Sequence, residues 1–221
     1  MVRKILAMGA HPDDMELEAG GTLAKFSENG DEVYMLILTS GGYTDSAGSM
    51  HKDSTLHDEA ELASKILGVK ELIILDYKTT RLSVNSGVVS EVDDLIDRIK
   101  PDILISHHPF DSHQDHKTAA EVMAAAARQG RVKNVLSGSP LPYRPNIFAF
   151  KPQFFVDITS TIDKKADCIR AYNSQYTKFG GEKLIERVKA MAKFYGWAMG
   201  YEYAECFEVI RIDDSLMGFF K

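Results

Sequence analysis

The sequence predicts a single α/β domain with a Rossmann-like, mostly parallel sheet flanked by helices, and three observations carry that expectation. Strand-like apolar runs alternate with helix-like runs along most of the chain, the pattern of successive βα units. A length of 221 residues suits one domain, so residues 1–221 are read as one unit. An apolar content of 44% is enough for a sizeable core.

The elements follow in order. Residues 2–8 are an apolar run bounded by a turn signal and read as a buried strand. Residues 21–29 read as a helix ended by Gly30, a residue suited to the left-handed cap position. Residues 33–38 are a second strand, and residues 55–67 a helix with Leu56, Ala60, Ala63 and Leu67 on one face. A short strand at 72–75 precedes a helix at 88–100, which stops before Pro101. Residues 103–105 form the next strand, and residues 116–128 an alanine-rich helix. Strands are expected at 146–150 and 154–156, helices at 162–172 and 183–199, and a last strand at 205–212. The loops at 40–54 and 137–145 stand apart. The first is long for a connection in a compact domain, and loops of that kind are usually functional or disordered.

Charge and composition exclude several classes. A net charge of −6 with scattered Lys and Arg does not suit nucleic-acid binding, which needs clustered cations. No stretch approaches the roughly 20 apolar residues that cross a bilayer, and the apolar run before His11 is too short for the core of a secretory signal. Cys168 and Cys206 fit no CxxC pattern and read as reduced thiols. A soluble, cytoplasmic protein is expected, without nucleic-acid or membrane partners and with self-association left open.

Two clusters carry chemistry. Ala10-His11-Pro12-Asp13-Asp14 follows the first strand, and His113-Gln114-Asp115-His116 follows the strand at 103–105. In open α/β sheets such strand ends are where ligands bind. Pro12 fixes its own φ and biases His11 toward an extended conformation, so the turn is stiff and its side chains are aimed. A plain surface turn with Asp13 or Asp14 capping a helix is the bland reading. For the second cluster, the i, i+3 spacing puts His113 and His116 on one face of a helical turn, and the bland reading is a solvated helix start capped by Asp115. Together the clusters offer imidazole and carboxylate donors from two strand ends to one crevice, which points to a divalent metal site. His107 and His108 read as a satisfied or partly buried pair. Gly41-Gly42 lacks the spacing of a dinucleotide fingerprint, so no organic cofactor is expected. Phe194, Tyr195, Trp197 and Met199 read as core or subunit contact.

The two clusters resemble the PIG-L/LmbE-like family of zinc-dependent N-acetylglucosaminyl deacetylases. The likeness extends to Gly20-Gly21-Thr22-Leu23, Ser174-Gln175 and Tyr203-Ala204-Glu205-Cys206-Phe207, and so spans nearly the whole chain. The resemblance implies that His11, Asp14 and His116 ligate zinc, or another divalent ion, with a position left open for water. It implies that Asp13 is the general base and that protonated His113 steadies the oxyanion, with Asp115 orienting that ring or another group beside the ligands. The small-molecule partner would be an N-acetyl amino sugar, as a GlcNAc-type glycoside or nucleotide sugar. One departure stands out. The family's Arg-x-x-Glu helix is matched here by Glu59, but Leu56 holds the arginine position, leaving Arg81, His57 and Lys52 as substitutes. A zinc hydratase of an unsaturated dicarboxylate is the rival enzyme. A metal-dependent binding protein without turnover leaves Asp13 without a role.

Overall fold

A computed structural model gives the fold and describes residues 2–44, 48, 50–51, 53–140 and 150–217. The chain begins with β1 (Lys4–Gly9), α1 (Asp14–Glu28) and β2 (Glu32–Thr39). The two-residue strands β3 (Tyr43–Thr44) and β4 (Met50–His51) pair inside the long loop, before α2 (Asp53–Leu67) and β5 (Glu71–Tyr77). Next come α3 (Ser86–Ile99), β6 (Ile103–Ser106), α4 (Gln114–Ala126) and β7 (Asn134–Gly138). The last part holds β8 (Phe154–Asp157), α5 (Ile162–Ala171), α6 (Asn173–Lys178), α7 (Glu182–Met199), β9 (Ala204–Arg211) and α8 (Asp214–Met217).

Seven strands form one sheet in the order β5-β2-β1-β6-β7-β9-β8. Five are mutually parallel, while β9 runs antiparallel to both β7 and β8. The alternation of side chains along a strand divides the core into two layers. Ile5, Ala7, Val33, Met35, Ile37, Ile103 and Ile105 face α1, α2, α5 and α7. Leu6, Met8, Leu36, Leu38 and Leu104 face α3 and α4 through Val92, Ile96, Val122 and Met123. The apolar stripe expected on α2 is buried throughout, at Leu56, Ala60, Ala63 and Leu67.

Three expectations are corrected. Helix α1 starts at Asp14, inside the first cluster, and not at residue 21. Its glycines are contact points rather than a boundary. A Cβ on Gly21 would lie 2.7 Å from Ile158 Cδ1 and 2.9 Å from Ile158 Cβ. Helix α4 starts at Gln114, with His113 at its cap and not inside a helical turn. Strand β7 fills residues expected to be loop or unassigned, because its polar members are satisfied internally: Asn134 Nδ2 donates to Asp102 O, and Ser137 Oγ to His107 O. The strand expected at 146–150 falls mostly outside the described residues, and Phe150 itself is buried but not in a strand. Of the four residues read as core or subunit contact, Tyr195 is core, whereas Trp197 is 82% exposed and Phe194 and Met199 also reach the surface. Cys168 and Cys206 are buried and unpaired. Among the described residues, no helix is long and apolar enough to cross a membrane.

The Gly20-Gly21-Thr22 and Tyr203–Phe207 segments meet in space, which explains why both stand out in the sequence. The buried Glu205 carboxylate accepts the backbone N–H groups of Gly21, at 3.0 Å, and Thr22, at 2.7 Å. Lys165 pairs with Glu205 and also donates to Leu17 O at 2.8 Å. A buried ion pair is tolerated when hydrogen bonds satisfy both partners, as here. This knot ties α1, α5 and β9 together beneath the site. Gly21→Ala is therefore expected to destabilise the fold. Overpacking against Ile158 costs roughly 1–3 kcal/mol, more than the roughly 1 kcal/mol that alanine's helix preference returns. A lower urea midpoint with an unchanged slope is the expected reading, and an unchanged midpoint would refute the contact argument.

Candidate metal centre and substrate cavity

The sheet order places the site. From β1 the chain winds outward one way to β2 and β5, and from β6 the other way to β7. The crevice between the carboxyl ends of β1 and β6 is thus the topological switch point, where doubly wound sheets bind ligands. The His11–Asp14 turn leaves β1 there, and residues 107–116 leave β6. The turn is anchored on both sides: Ala10 O accepts Thr39 N–H and Thr39 Oγ1–H, and Ala10 N–H donates to His107 Nε2 at 2.9 Å.

Asp14 stands at the centre. Its Oδ1 lies 3.1 Å from His116 Nε2, and its Oδ2 lies 3.3 Å from His11 Nδ1. On each histidine the other ring nitrogen meets a different carboxylate: His11 Nε2 reaches Asp115 Oδ2 at 2.8 Å, and His116 Nδ1 reaches Asp111 Oδ2 at 3.2 Å. Metal-binding histidines have this arrangement, one nitrogen turned to the ion and the other donating to a carboxylate that fixes tautomer and ring angle. His116 Nε2 is buried and makes no hydrogen bond. That orphaned lone pair, facing a carboxylate, fits a cation between His11, Asp14 and His116, with neutral imidazole and carboxylate as the donors zinc takes.

The charges agree with the geometry. Burial alone would lower His11, but the charge of Asp14 and hydrogen bonds to Asp115 and Asp14 raise it to about 9. Burial would raise the Asp14 carboxyl, but the imidazoles of His116, His107 and His11 hold it well below the usual carboxylate range. Three imidazoles are thus drawn around one carboxylate, an arrangement of donors that suits a bound cation.

Asp13 is aimed by the backbone. Its φ of 92° is a left-handed conformation that few residues other than glycine adopt, Asp and Asn being among the exceptions. It occupies the cap position of α1 but makes no side-chain cap hydrogen bond, so the capping reading fails for this residue. Asp14 Oδ2 instead accepts His11 N–H at 2.7 Å, closing the turn.

His113 caps α4: its Nδ1 accepts Asp115 N–H at 3.2 Å. That bond places the ring proton on Nε2. The ring lies edge-on to His11, with centroids 4.7 Å apart, and 4.9 Å from His116. The Asp115 carboxylate is engaged by His11 and by Thr80 N–H, at 2.6 Å, so among the alternatives it orients the first-cluster histidine. His107 and His108 are buried and hydrogen-bonded as expected, but His107 does more than pack. It stacks on His116 at 3.8 Å, and its Nδ1 meets Glu18 Oε1 at 2.8 Å. Asp111, Glu18 and this role of His107 escaped the sequence reading. The Asp-x-His spacing of Asp111 and His113 was the available signal.

A cavity of about 560 Å³ opens over the cluster, lined by His11, Asp13, Asp14 and His113. Its other walls come from the loop after β2 (Gly41 to Thr44), from Leu56 and Thr80, and from α6 with Gln175 and Lys178. Gly41, at φ 85°, presses on Pro12 so closely that a Cβ would lie 2.8 Å from the ring. Neither Arg81 nor His57 lines the cavity, and Lys52 lies outside the described residues. Glu59, the partner expected for an arginine, instead accepts Ser174 N–H at 2.8 Å and Ser174 Oγ–H at 2.6 Å, fixing the start of α6.

Known proteins are similar to this chain in sequence and fold. Diacetylchitobiose deacetylase of Thermococcus kodakarensis is 30% identical over 218 residues, covering 92% of this chain and 82% of that protein. The solved structure of N,N′-diacetylchitobiose deacetylase from Pyrococcus horikoshii, complexed with its inhibitor MPG, superposes with a TM-score of 0.80 at 26% identity. It covers 94% of this chain and 84% of that one. A weaker match is 4-oxalmesaconate hydratase of Pseudomonas putida, 26% identical over 194 residues, or 78% of this chain and 74% of that protein. The model of the family described as GlcNAc-PI de-N-acetylase (PIG-L) matches residues 6–127, more than half of the chain. On that match and on the 30% identity along nearly its whole length, the chain belongs to the PIG-L family.

Proposed function

We propose that this protein is a zinc-dependent hydrolase that removes the N-acetyl group from an N-acetylated amino sugar of the GlcNAc type. One observation carries the reading. His11 and His116 each turn one nitrogen to Asp14 and the other to an orienting carboxylate, and His11 and Asp14 line a cavity together with Asp13 and His113. The relatives' activity on N-acetylated amino sugars supports the substrate class.

In this reading His11, Asp14 and His116 hold the ion. When bound it supplies Lewis acidity, polarising the acetamide carbonyl and acidifying a water. Asp13 takes the proton of the attacking water and later delivers it to the leaving amine nitrogen, so the carboxylate returns to its starting state. His113 Nε2–H donates to the carbonyl oxygen as negative charge builds there. Asp115 and Asp111 hold the rings of His11 and His116 at their angles. The two buried free thiols suit a reducing compartment, and we place the protein in the cytoplasm.

The test is acetate and free-amine release from a panel of N-acetylated sugars and glycosides, read beside metal content. Acetate and amine in equal amounts are expected, with about one zinc per chain, loss on chelation and recovery on adding zinc. Full activity after the metal is stripped, or no acetate from any sugar, would overturn the reading. Loss of conjugated ultraviolet absorbance from an unsaturated dicarboxylate, without acetate, would assign the chain to the hydratases.

A further inference from the structure

We propose that Lys178 is the anion-binding group of the cavity, so that the preferred amino sugar carries a phosphate or carboxylate beside its acetamide. This deepens the deacetylase reading and rests on it.

Among the described residues that line the cavity, Lys178 is the one Lys or Arg, and the lining carboxylates, Asp13 and Asp14, belong to the metal end. Its partners among the described residues are the Tyr43 hydroxyl, the Tyr43 ring at 4.4 Å and the Phe179 ring at 5.1 Å; none is a carboxylate. Two ring faces hold the ammonium without neutralising it. An ammonium has three donors, and Tyr43 takes one.

The position is built from several elements. Tyr43 comes from the loop after β2; its hydroxyl accepts from Lys178 and lies 3.3 Å from Gln175 Oε1, to which it donates. Gln175 is buried, and its Nε2 donates to Ser174 Oγ at 3.2 Å. Ser174 is in turn held by both oxygens of Glu59 from α2. Glu59, Ser174, Gln175 and Tyr43 thus form a continuous chain of bonds ending at the lysine. A side chain positioned in this way loses little freedom on binding, so more of its attraction for an anion appears as affinity. Leu56, buried in the same wall, offers only carbon to the substrate.

The experiment compares three substrates: the methyl glycoside of N-acetylglucosamine, its 1-phosphate, and its glycoside with a hydroxy acid. Lys178→Met keeps an apolar stem between the two rings and removes the charge; Lys178→Arg keeps the charge. With Lys178→Met, KM for the favoured anionic sugar is expected to rise about tenfold with kcat within about twofold, while the neutral glycoside changes less than about twofold. Lys178→Arg is expected to hold KM near the wild-type value, and the anionic preference to shrink as salt is raised. Whichever anionic arm responds identifies phosphate or carboxylate as the ligand. Equal effects on neutral and charged sugars, or none on either anion, would overturn the proposal. Calorimetric titration of glucosamine 1-phosphate against methyl glucosaminide gives a second readout that needs no turnover. Tighter binding of the phosphate, lost in Lys178→Met, supports the anion site even if acetate release fails; equal binding overturns it.

Discussion

Asp13→Asn is expected to retain its metal and lose about 10²–10⁴-fold in turnover, the usual worth of a positioned general base. The substitution is well matched to the site. Asn has the shape of Asp and tolerates the left-handed φ of 92°, so the turn that aims His11 and Asp14 is preserved. An alanine there would add backbone strain and blur the result. The amide oxygen cannot take the water's proton at neutral pH, and that is the single function removed. His11→Ala serves as the contrast: it deletes a proposed ligand, facing Asp14 at 3.3 Å, and the partner of Asp115, so metal content itself should fall. Metal analysis and maximal rate on one preparation separate the two. Near-wild-type turnover in metal-loaded Asp13→Asn would move the base to another residue.

Much of this site was legible because its chemistry is local in sequence. Two strand ends carry the clusters, and the switch point that brings them together follows from the βα order. What was not legible depends on long-range contact. The glycines at 20 and 21 look like a helix boundary, and only the approach of Ile158, with the Glu205 carboxylate on their backbone, shows why α1 runs through them. Strand β7 reads as polar because Asn134 and Ser137 interrupt it, and both are satisfied by partners about thirty residues earlier. The orienting carboxylates could be guessed as a class but not matched to rings. Asp115 is next to His116 in sequence, yet it serves His11, 104 residues away, while Asp111 serves His116. Among the described residues, the Lys or Arg that lines the cavity is Lys178, on a helix whose start is held by Glu59, and not the Arg81 that the sequence offers.

The second large effect expected is at His113, where alanine should lower the maximal rate by about 10²–10³-fold while metal content and KM change little. The ring's hydrogen bonding supplies the reason. Nδ1 accepts Asp115 N–H at the start of α4, so the proton sits on Nε2, and the residue lines the cavity. A donor aimed at charge that appears only in the transition state raises kcat and adds little to ground-state affinity. The same bond makes His113 the helix cap, and losing a cap costs about 1 kcal/mol of stability, so alanine alone would confuse two roles. His113→Asn separates them. Its side-chain oxygen can cap α4, since Asn is among the best cap residues, but its amide is too short to stand where Nε2 does. If His113 acts on the oxyanion, Asn restores the unfolding midpoint and leaves the rate as low as alanine does. If His113 only caps the helix, Asn restores both, and the rate per folded, metal-loaded molecule barely changes in either variant. The deciding measurement is kcat on matched zinc content, with urea midpoints taken from the same preparations.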